Sequence, residues 1–193
     1  MKIAILILSA GSSKRMGTAK QLLPIGKTTL LGLCIENAIH SNAEKTFCVL
    51  GSNAQKIKHS ISQYNVEIIL NNNYEEGLSS SIIEGIKYIN SENFDAVLII
   101  LGDQPNVNTK YLNSLILSSE KYSSKIIASK YLDNIGVPAI FPKSYFEQLQ
   151  QIKGDKGAKY FLNSNTSQVI SIESDRLLDI DTKNDYLDYL KTL

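Results

Sequence analysis

Six short apolar runs rich in β-branched residues recur along the chain: Ile3 to Leu8, Thr46 to Leu50, Val66 to Leu70, Ala96 to Leu101, Ile126 to Ser129 and Val169 to Ile172. Each has the length and composition of a buried strand. Between them the apolar residues return at three- and four-residue intervals. Leu30, Leu31, Cys34, Ile35, Ala38 and Ile39 share one such face, and Ile57 and Ile61 a second. Ile82, Ile83, Ile86 and Ile89 form a third, and Leu112, Leu115 and Ile116 a fourth. Strand and helix alternate, which predicts βαβ units, an α/β fold and a mostly parallel central sheet.

Past Ser129 the alternation weakens. Tyr131 to Pro142 carries GVPAIFP, an extended segment interrupted by Gly and Pro. The pattern predicts a helix over Ser144 to Gln151, a turn at Gly154-Asp155-Lys156-Gly157 and a helix over Ala158 to Leu162. Thr182 to Leu190 reads as a terminal helix, with Thr182 and Asp185 at capping-box spacing. No linker, internal repeat or low-complexity tract interrupts the chain, so residues 1–193 are expected to form one domain.

Composition narrows the partners. A hydrophobic fraction of 43% is enough for a substantial core, and the net charge is only +1. No global field attracts DNA or an anionic bilayer, so neither nucleic acid nor membrane is an expected partner. A local cationic pocket remains compatible with that balance. Cys34 and Cys48, the chain's 2 cysteines, lie in no CxxC or Cys/His cluster. They read as buried thiols of a reducing compartment. The N-terminal apolar run is too short for a signal segment, and no run approaches the roughly 20 residues of a membrane span. A cytoplasmic location is expected.

Two strand-ending loops carry the candidate chemistry. The first, LSAGSSKRMGTAK, runs from Leu8 to Lys20. Small residues at Ser9, Ala10 and Gly11 let backbone amides approach a ligand, and successive free amides make an anion-binding concavity. Ser12 and Ser13 add hydroxyls; Lys14, Arg15 and Lys20 add charge suited to polyphosphate. The second, LGDQP, places Asp103 at the tip of an apolar run. Strand C-termini of an open α/β sheet line the ligand crevice. Magnesium takes one or two carboxylates and completes its shell with phosphate and water. Together the two loops point to a nucleoside triphosphate with Mg²⁺. Asp179 and Asp181 alternate around Ile180, so in an extended segment both carboxylates share one face.

Familiar alternatives fail. Gly26-Lys27-Thr28 supplies the end of a P-loop, but Gln21 stands where its first glycine is needed. After Gly11 the next glycine is Gly17, so the dinucleotide fingerprint is absent. Gly77-Leu78-Ser79 begins no G-x-S-x-G elbow, because Ser81 stands where its second glycine is needed; Ser81 itself lies with Glu84 at capping-box spacing before a strong helix. Asn71, Asn72 and Asn73 read as a strand-ending turn, and His40 and His59 as surface or boundary residues of helices.

The spacing Leu8-Ser9-Ala10-Gly11-x-Ser13-x-Arg15-Met16-Gly17-x-x-Lys20 resembles the signature of the nucleotidyltransferase superfamily. Glu76 to Ile82, Gly102 to Pro105, Gly136 to Ala139, Gly154 to Ala158 and Asp179 to Thr182 follow in order. That set is most similar to the molybdenum cofactor cytidylyltransferase branch, the MobA-like NTP transferases. The resemblance implies a Rossmann-like three-layer α/β/α, GT-A-like nucleotidyltransferase fold. It implies a nucleotide site at Leu8, Ser9, Ala10, Gly11, Ser13, Arg15, Lys20, Gly77, Ser80, Ser81 and Asp103. Arg15, Lys20 and Asp103 would act on the triphosphate, and Asp103 with Asp181 would hold Mg²⁺. Ala10 stands where cytidylyl enzymes carry Ala and guanylyl enzymes Gly, which implies CTP. The implied acceptor is phosphorylated, molybdopterin by branch, and a molybdenum hydroxylase is an implied partner. Sugar or polyol phosphates remain alternatives, as does a regulatory nucleotide-binding module. A nucleotide-sugar glycosyltransferase using Asp179-Ile180-Asp181 is a weaker rival, because that motif lies at the far C-terminal end. Lys156 and Lys159 are candidates to meet the acceptor phosphate. Ser9, in place of the more usual Ala, and Lys183-Asn184, in place of Pro-Glu, depart from the pattern.

Overall fold

The computed structural model describes residues 1–131, 134–155, 157–174 and 177–193. Lys156 lies outside the described residues. Seven strands form one sheet in the order β5-β4-β1-β6-β8-β7-β9. They are β1 (Ile3–Ser9), β4 (Lys45–Leu50), β5 (Glu67–Leu70), β6 (Ala96–Leu101), β7 (Ile126–Tyr131), β8 (Asn134–Pro142) and β9 (Val169–Glu173). The pairs β1·β4, β1·β6, β4·β5 and β7·β9 are parallel. Only β8 opposes its neighbours β6 and β7. The central sheet is therefore mostly parallel, as the strand–helix alternation predicts.

The six apolar runs are strands within one or two residues of their predicted limits. β1 is buried along its whole length, as a strand covered on both faces must be. Alternate residues feed two separate cores. Ala4, Leu6 and Leu8 face one side with Phe47, Val49, Val97, Ile99 and Phe141. Ile3, Ile5 and Ile7 face the other with Cys48, Leu98, Ile100 and Ile140. Helix α3 (Leu78–Asn90) covers the first face with α5 (Phe146–Leu149) and α6 (Gly157–Ser164). Helices α1 (Leu30–Ile39), α2 (Ala54–Ser60) and α4 (Thr109–Lys121) cover the second. These are the three layers expected. Ile82, Ile86 and Ile89 of α3 are fully buried, and each contributes about 2 kcal/mol of transfer free energy. α3 packs closely because Gly85 meets Leu6; a Cβ there would collide with the leucine methyls.

Three features differ from the sequence pattern. The helix expected over Ser144 to Gln151 is a 3₁₀ turn at Lys143–Tyr145 followed by the single α-turn α5. A small antiparallel hairpin, β2 (Pro24–Ile25) with β3 (Thr28–Thr29), precedes α1. The extended segment after Tyr131 is an interior strand, β8. It runs antiparallel because too few residues separate it from β7 for a crossover. Pro138 is tolerated there beside an irregularity at Ala128/Ser129, where Ser129 Oγ donates to the Pro138 carbonyl at 2.7 Å.

The C-terminal helix α7 (Lys183–Leu190) begins in the predicted capping box of Thr182 and Asp185. Tyr189, Ile180, Ile25 and Leu30 form a third apolar cluster that ties the tail to the hairpin and α1. Among the described residues no helix is long and apolar enough to cross a membrane.

Candidate active site

β4 and β6 flank β1 on opposite sides, so the strand order turns at β1. A cleft of about 880 Å³ opens at the C-terminal edge of this turning point, where open α/β sheets bind ligands. Its floor is made by Leu8 and Ser9 of β1 with Leu101, Gly102 and Asp103 at the end of β6. The β1 loop, Ala10 to Arg15, forms one wall, and the N-terminus of α3 with Tyr74 and Glu75 another.

The β1 loop is held from below by a residue the sequence reading passed over. Gln21, 3% exposed, donates through Nε2 to the Ser9 carbonyl at 3.1 Å and the Gly11 carbonyl at 3.0 Å. Its Oε1 accepts from Ser13 Oγ at 3.3 Å. With these carbonyls occupied, the loop turns its amides outward. Among the described residues the backbone N–H groups of Gly11, Ser12 and Ser13 have no protein acceptor. Ser13 (φ 53°) and Gly17 (φ 68°) flank the 3₁₀ turn Lys14–Met16 that carries Arg15.

Four charged groups, Arg15, Lys20, Asp103 and Asp181, meet in the cleft. Lys20 Nζ lies 2.5 Å from Asp103 Oδ2 and 2.9 Å from Asp181 Oδ1. Arg15 Nη2 reaches Asp181 Oδ2 at 2.8 Å with its side chain 70% exposed. The Asp179–Asp181 segment is brought back to β6 by Ile180, whose N–H donates to the Asp103 carbonyl at 3.0 Å. Ile180 is buried on the opposite side, as the alternation predicts. Asp181 is set in place by α7: the Asp185 carboxylate accepts from the N–H groups of Asp181 at 3.0 Å and Thr182 at 2.7 Å. Asp179 lines the cleft and accepts from Gln104 Nε2 at 2.7 Å.

Burial opposes the Lys20 ammonium, but Asp103 and then Asp181 more than offset it, so Lys20 holds its proton more tightly than usual. Burial pushes Asp103 above the usual carboxylate range despite Lys20. Burial also opposes the Asp181 carboxylate, yet hydrogen bonding from Lys20 and the charges of Lys20 and Arg15 keep it below that range. Among the described residues Asp103 Oδ1 is buried without a hydrogen-bond partner. An anionic oxygen so placed fits a hard cation. Among the described residues no group of three or more His, Cys, Asp or Glu forms a metal cage. A two-carboxylate site suits an ion that brings phosphate and water as its other ligands.

Of the residues singled out in the sequence, the cleft brings together Leu8, Ser9, Ala10, Gly11, Ser13, Arg15, Lys20, Gly77, Ser81, Asp103 and Asp181. Ser80 stands apart: its hydroxyl donates to the Gly77 carbonyl at 2.8 Å and accepts from Asn71, and it does not line the cleft. Ser81 does not cap α3; the helix starts three residues earlier, after Gly77. Gly77 has φ 99°, and a Cβ there would strike Asp155, which also lines the cleft. Lys159 is exposed on α6, away from the lining. His40 and His59 are exposed, and the expected turn follows β5 at Asn72 and Asn73, with Asn71 buried at its start.

Residues 5–169 match the family model for the MobA-like NTP transferase domain. The chain is 26% identical over 191 residues to "Purine catabolism protein PucB" of Bacillus subtilis strain 168, covering 93% of this chain and 91% of that protein. It is 28% identical over 165 residues to "Nicotine blue oxidoreductase" of Paenarthrobacter nicotinovorans, covering 81% and 79%. Among solved structures, the Mycobacterium tuberculosis Rv0371c homologue from Mycobacterium sp. strain JC1 is 30% identical. It superposes with a TM-score of 0.84 over 98% of this chain and 96% of that one.

Proposed function

Because the chain belongs to the MobA-like NTP transferase family, we propose that it transfers a nucleotidyl group from an NTP to a phosphorylated acceptor and releases pyrophosphate. The nucleotide is CTP and the acceptor molybdopterin; residues 1–193 act as one cytoplasmic domain. One observation carries this reading: Arg15 and Lys20 of the β1 loop converge with Asp103 and Asp181 in a single cleft at the sheet's turning point.

The free amides of Gly11 to Ser13 and the charges of Arg15 and Lys20 receive the triphosphate. They hold it in line and neutralise charge as the leaving pyrophosphate separates. The acceptor phosphate is already ionised at neutral pH, so it attacks the α-phosphorus without a general base. One phosphorus–oxygen bond forms as the bond to pyrophosphate breaks. Mg²⁺ fits the buried, unpartnered Asp103 Oδ1 and the neighbouring Asp181, which would hold it. When bound, the ion supplies Lewis-acid polarisation of the phosphoryl oxygens. The choice of CTP rests on Ala10, which lines the cleft and stands where the resembling guanylyl enzymes carry Gly.

The test is pyrophosphate release from each of the four NTPs, with Mg²⁺ and molybdopterin, and in parallel with sugar and polyol phosphates. Release from CTP with molybdopterin is expected. Preference for GTP would overturn the base assignment. Turnover only with a sugar or polyol phosphate would overturn the acceptor. Nucleotide binding without release under any condition would favour a regulatory module.

A further inference from the structure

We propose that Asn71 is the positioning residue that makes Ser81 a hydrogen-bond donor toward the nucleoside, an inference that rests on the nucleotide-binding reading above. Asn71 is 1% exposed, just past β5, where its N–H donates to the Leu50 carbonyl at 2.8 Å. Its side-chain orientation is fixed by chemistry. Oδ1 accepts from the backbone N–H of Asn73 at 2.9 Å, and a backbone N–H can only donate. The amide nitrogen must therefore face α3. It donates to Ser80 Oγ at 2.8 Å and to Ser81 Oγ at 3.0 Å, one hydrogen for each hydroxyl.

The two hydroxyls then differ. Ser80 accepts from Asn71 and spends its own hydrogen on the Gly77 carbonyl at 2.8 Å, so its capacity is filled inside the helix turn. Ser81 accepts from Asn71, and among the described residues Asn71 is the partner of its oxygen. Asn71 can only donate here, so it engages one lone pair of the Ser81 oxygen and never consumes the Ser81 hydrogen. Ser81 is 3% exposed and lines the cleft, and among the described residues its hydrogen meets no acceptor. A buried hydroxyl hydrogen needs one. The ligand atom that satisfies it is an acceptor, such as a ring nitrogen, a carbonyl or a ribose oxygen of the nucleoside.

Asn71→Asp tests this with little change of shape. A carboxylate accepts from both serines, so Ser81 turns its hydrogen inward and offers the ligand a lone pair. Equilibrium binding of Mg·CTP is measured by calorimetry for wild type, Asn71→Asp, Ser81→Ala and the double variant, with thermal melts alongside. Asn71→Asp is expected to weaken binding about tenfold in the wild-type background and less than about twofold when Ser81 is Ala, because the residue acts through that hydroxyl. Equal weakening in both backgrounds, or no weakening in either, would overturn the proposal. If Asn71→Asp does not fold, Asn71→Ala replaces it: about threefold weakening that vanishes with Ser81→Ala supports the proposal, and persistence of the loss overturns it. If the wild-type chain binds none of the four NTPs, the nucleotide reading fails and takes this inference with it. An additive cycle on a chain that binds CTP defeats the inference alone.

Discussion

Lys20 Nζ stands 2.5 Å from Asp103 Oδ2, and the two side chains are only 15% and 17% exposed. An ammonium on the β1 loop is thus locked to a carboxylate at the end of β6, across the floor of the cleft. Lys20 both completes the basic wall and covers the acidic one.

Replacing Lys20 by Met separates these two duties. Affinity for Mn²⁺ without nucleotide is expected to rise about tenfold, because no cation competes for the carboxylates. Affinity for CTP is expected to fall over the same comparison. Mn²⁺ titration followed by electron paramagnetic resonance reads the first effect and calorimetry the second. Urea unfolding in the absence of metal is expected to show a loss of about 3 kcal/mol, the cost of leaving Asp103 buried and unpaired.

Asp103→Asn keeps the shape and removes the charge. Pyrophosphate release is expected to fall about 10²–10³-fold or more, the scale set by loss of one preorganised electrostatic group. The circular dichroism spectrum is expected to be unchanged. Wild-type-like turnover would exclude Asp103 from the chemistry.

Acid stability draws on the other end of the sheet. Lys45 pairs with Glu67 at 2.6 Å and with Glu92 at 3.2 Å, and Tyr88 donates to Glu67. Hydrogen bonding from Lys45 and then Tyr88 holds Glu67 below its ordinary value of 4.5. A carboxylate depressed in the folded state binds fewer protons there than in the unfolded one. Its stabilisation is full above pH 4.5 and is lost as pH falls through the lowered value. Both side chains are about a third exposed, so the pair contributes at most about 0.5 kcal/mol. Glu67→Gln is expected to flatten the stability–pH curve below pH 4.5 and to leave activity untouched, as chemical unfolding across that range reports.

The cysteines are chemically silent. Burial pushes Cys34 up to about 12, and it pushes Cys48 up as well. Neither thiol forms the reactive thiolate at neutral pH. Ellman's reagent is expected to label neither in the native chain and both in guanidinium. Labelling is expected to follow the rate of global unfolding, since Cys34 on α1 and Cys48 on β4 are both buried.

Most of the sheet strands and helices α1 to α4 were legible in the sequence because each buries a run or a periodic face of apolar residues. β8 was less so: Gly136 and Pro138 break its alternation, and its direction follows from the short connection to β7, which periodicity does not encode. α5 is too short to show a repeat, and the hairpin at Pro24–Thr29 carries no alternation at all. In the site, small residues and charges on the β1 loop announced themselves through density and spacing. Gln21 and Asn71 did not, since a buried amide looks like any surface amide until its partners are known. The capping box of Thr182 and Asp185 was visible, but its second task was not: Asp185 also anchors the N–H of Asp181, a contact set by where the tail docks.

The match to the family model ends at residue 169, whereas Asp181 lies beyond it, pinned by Ile180 to Asp103 and by α7 to the hairpin through Tyr186 and Pro24. A protein trimmed at that boundary would keep the basic loop and forfeit half of its acidic counterpart. On the proposed reading the tail that carries Asp181 is needed for catalysis as well as for packing, so a fusion or tag should be attached at the amino end.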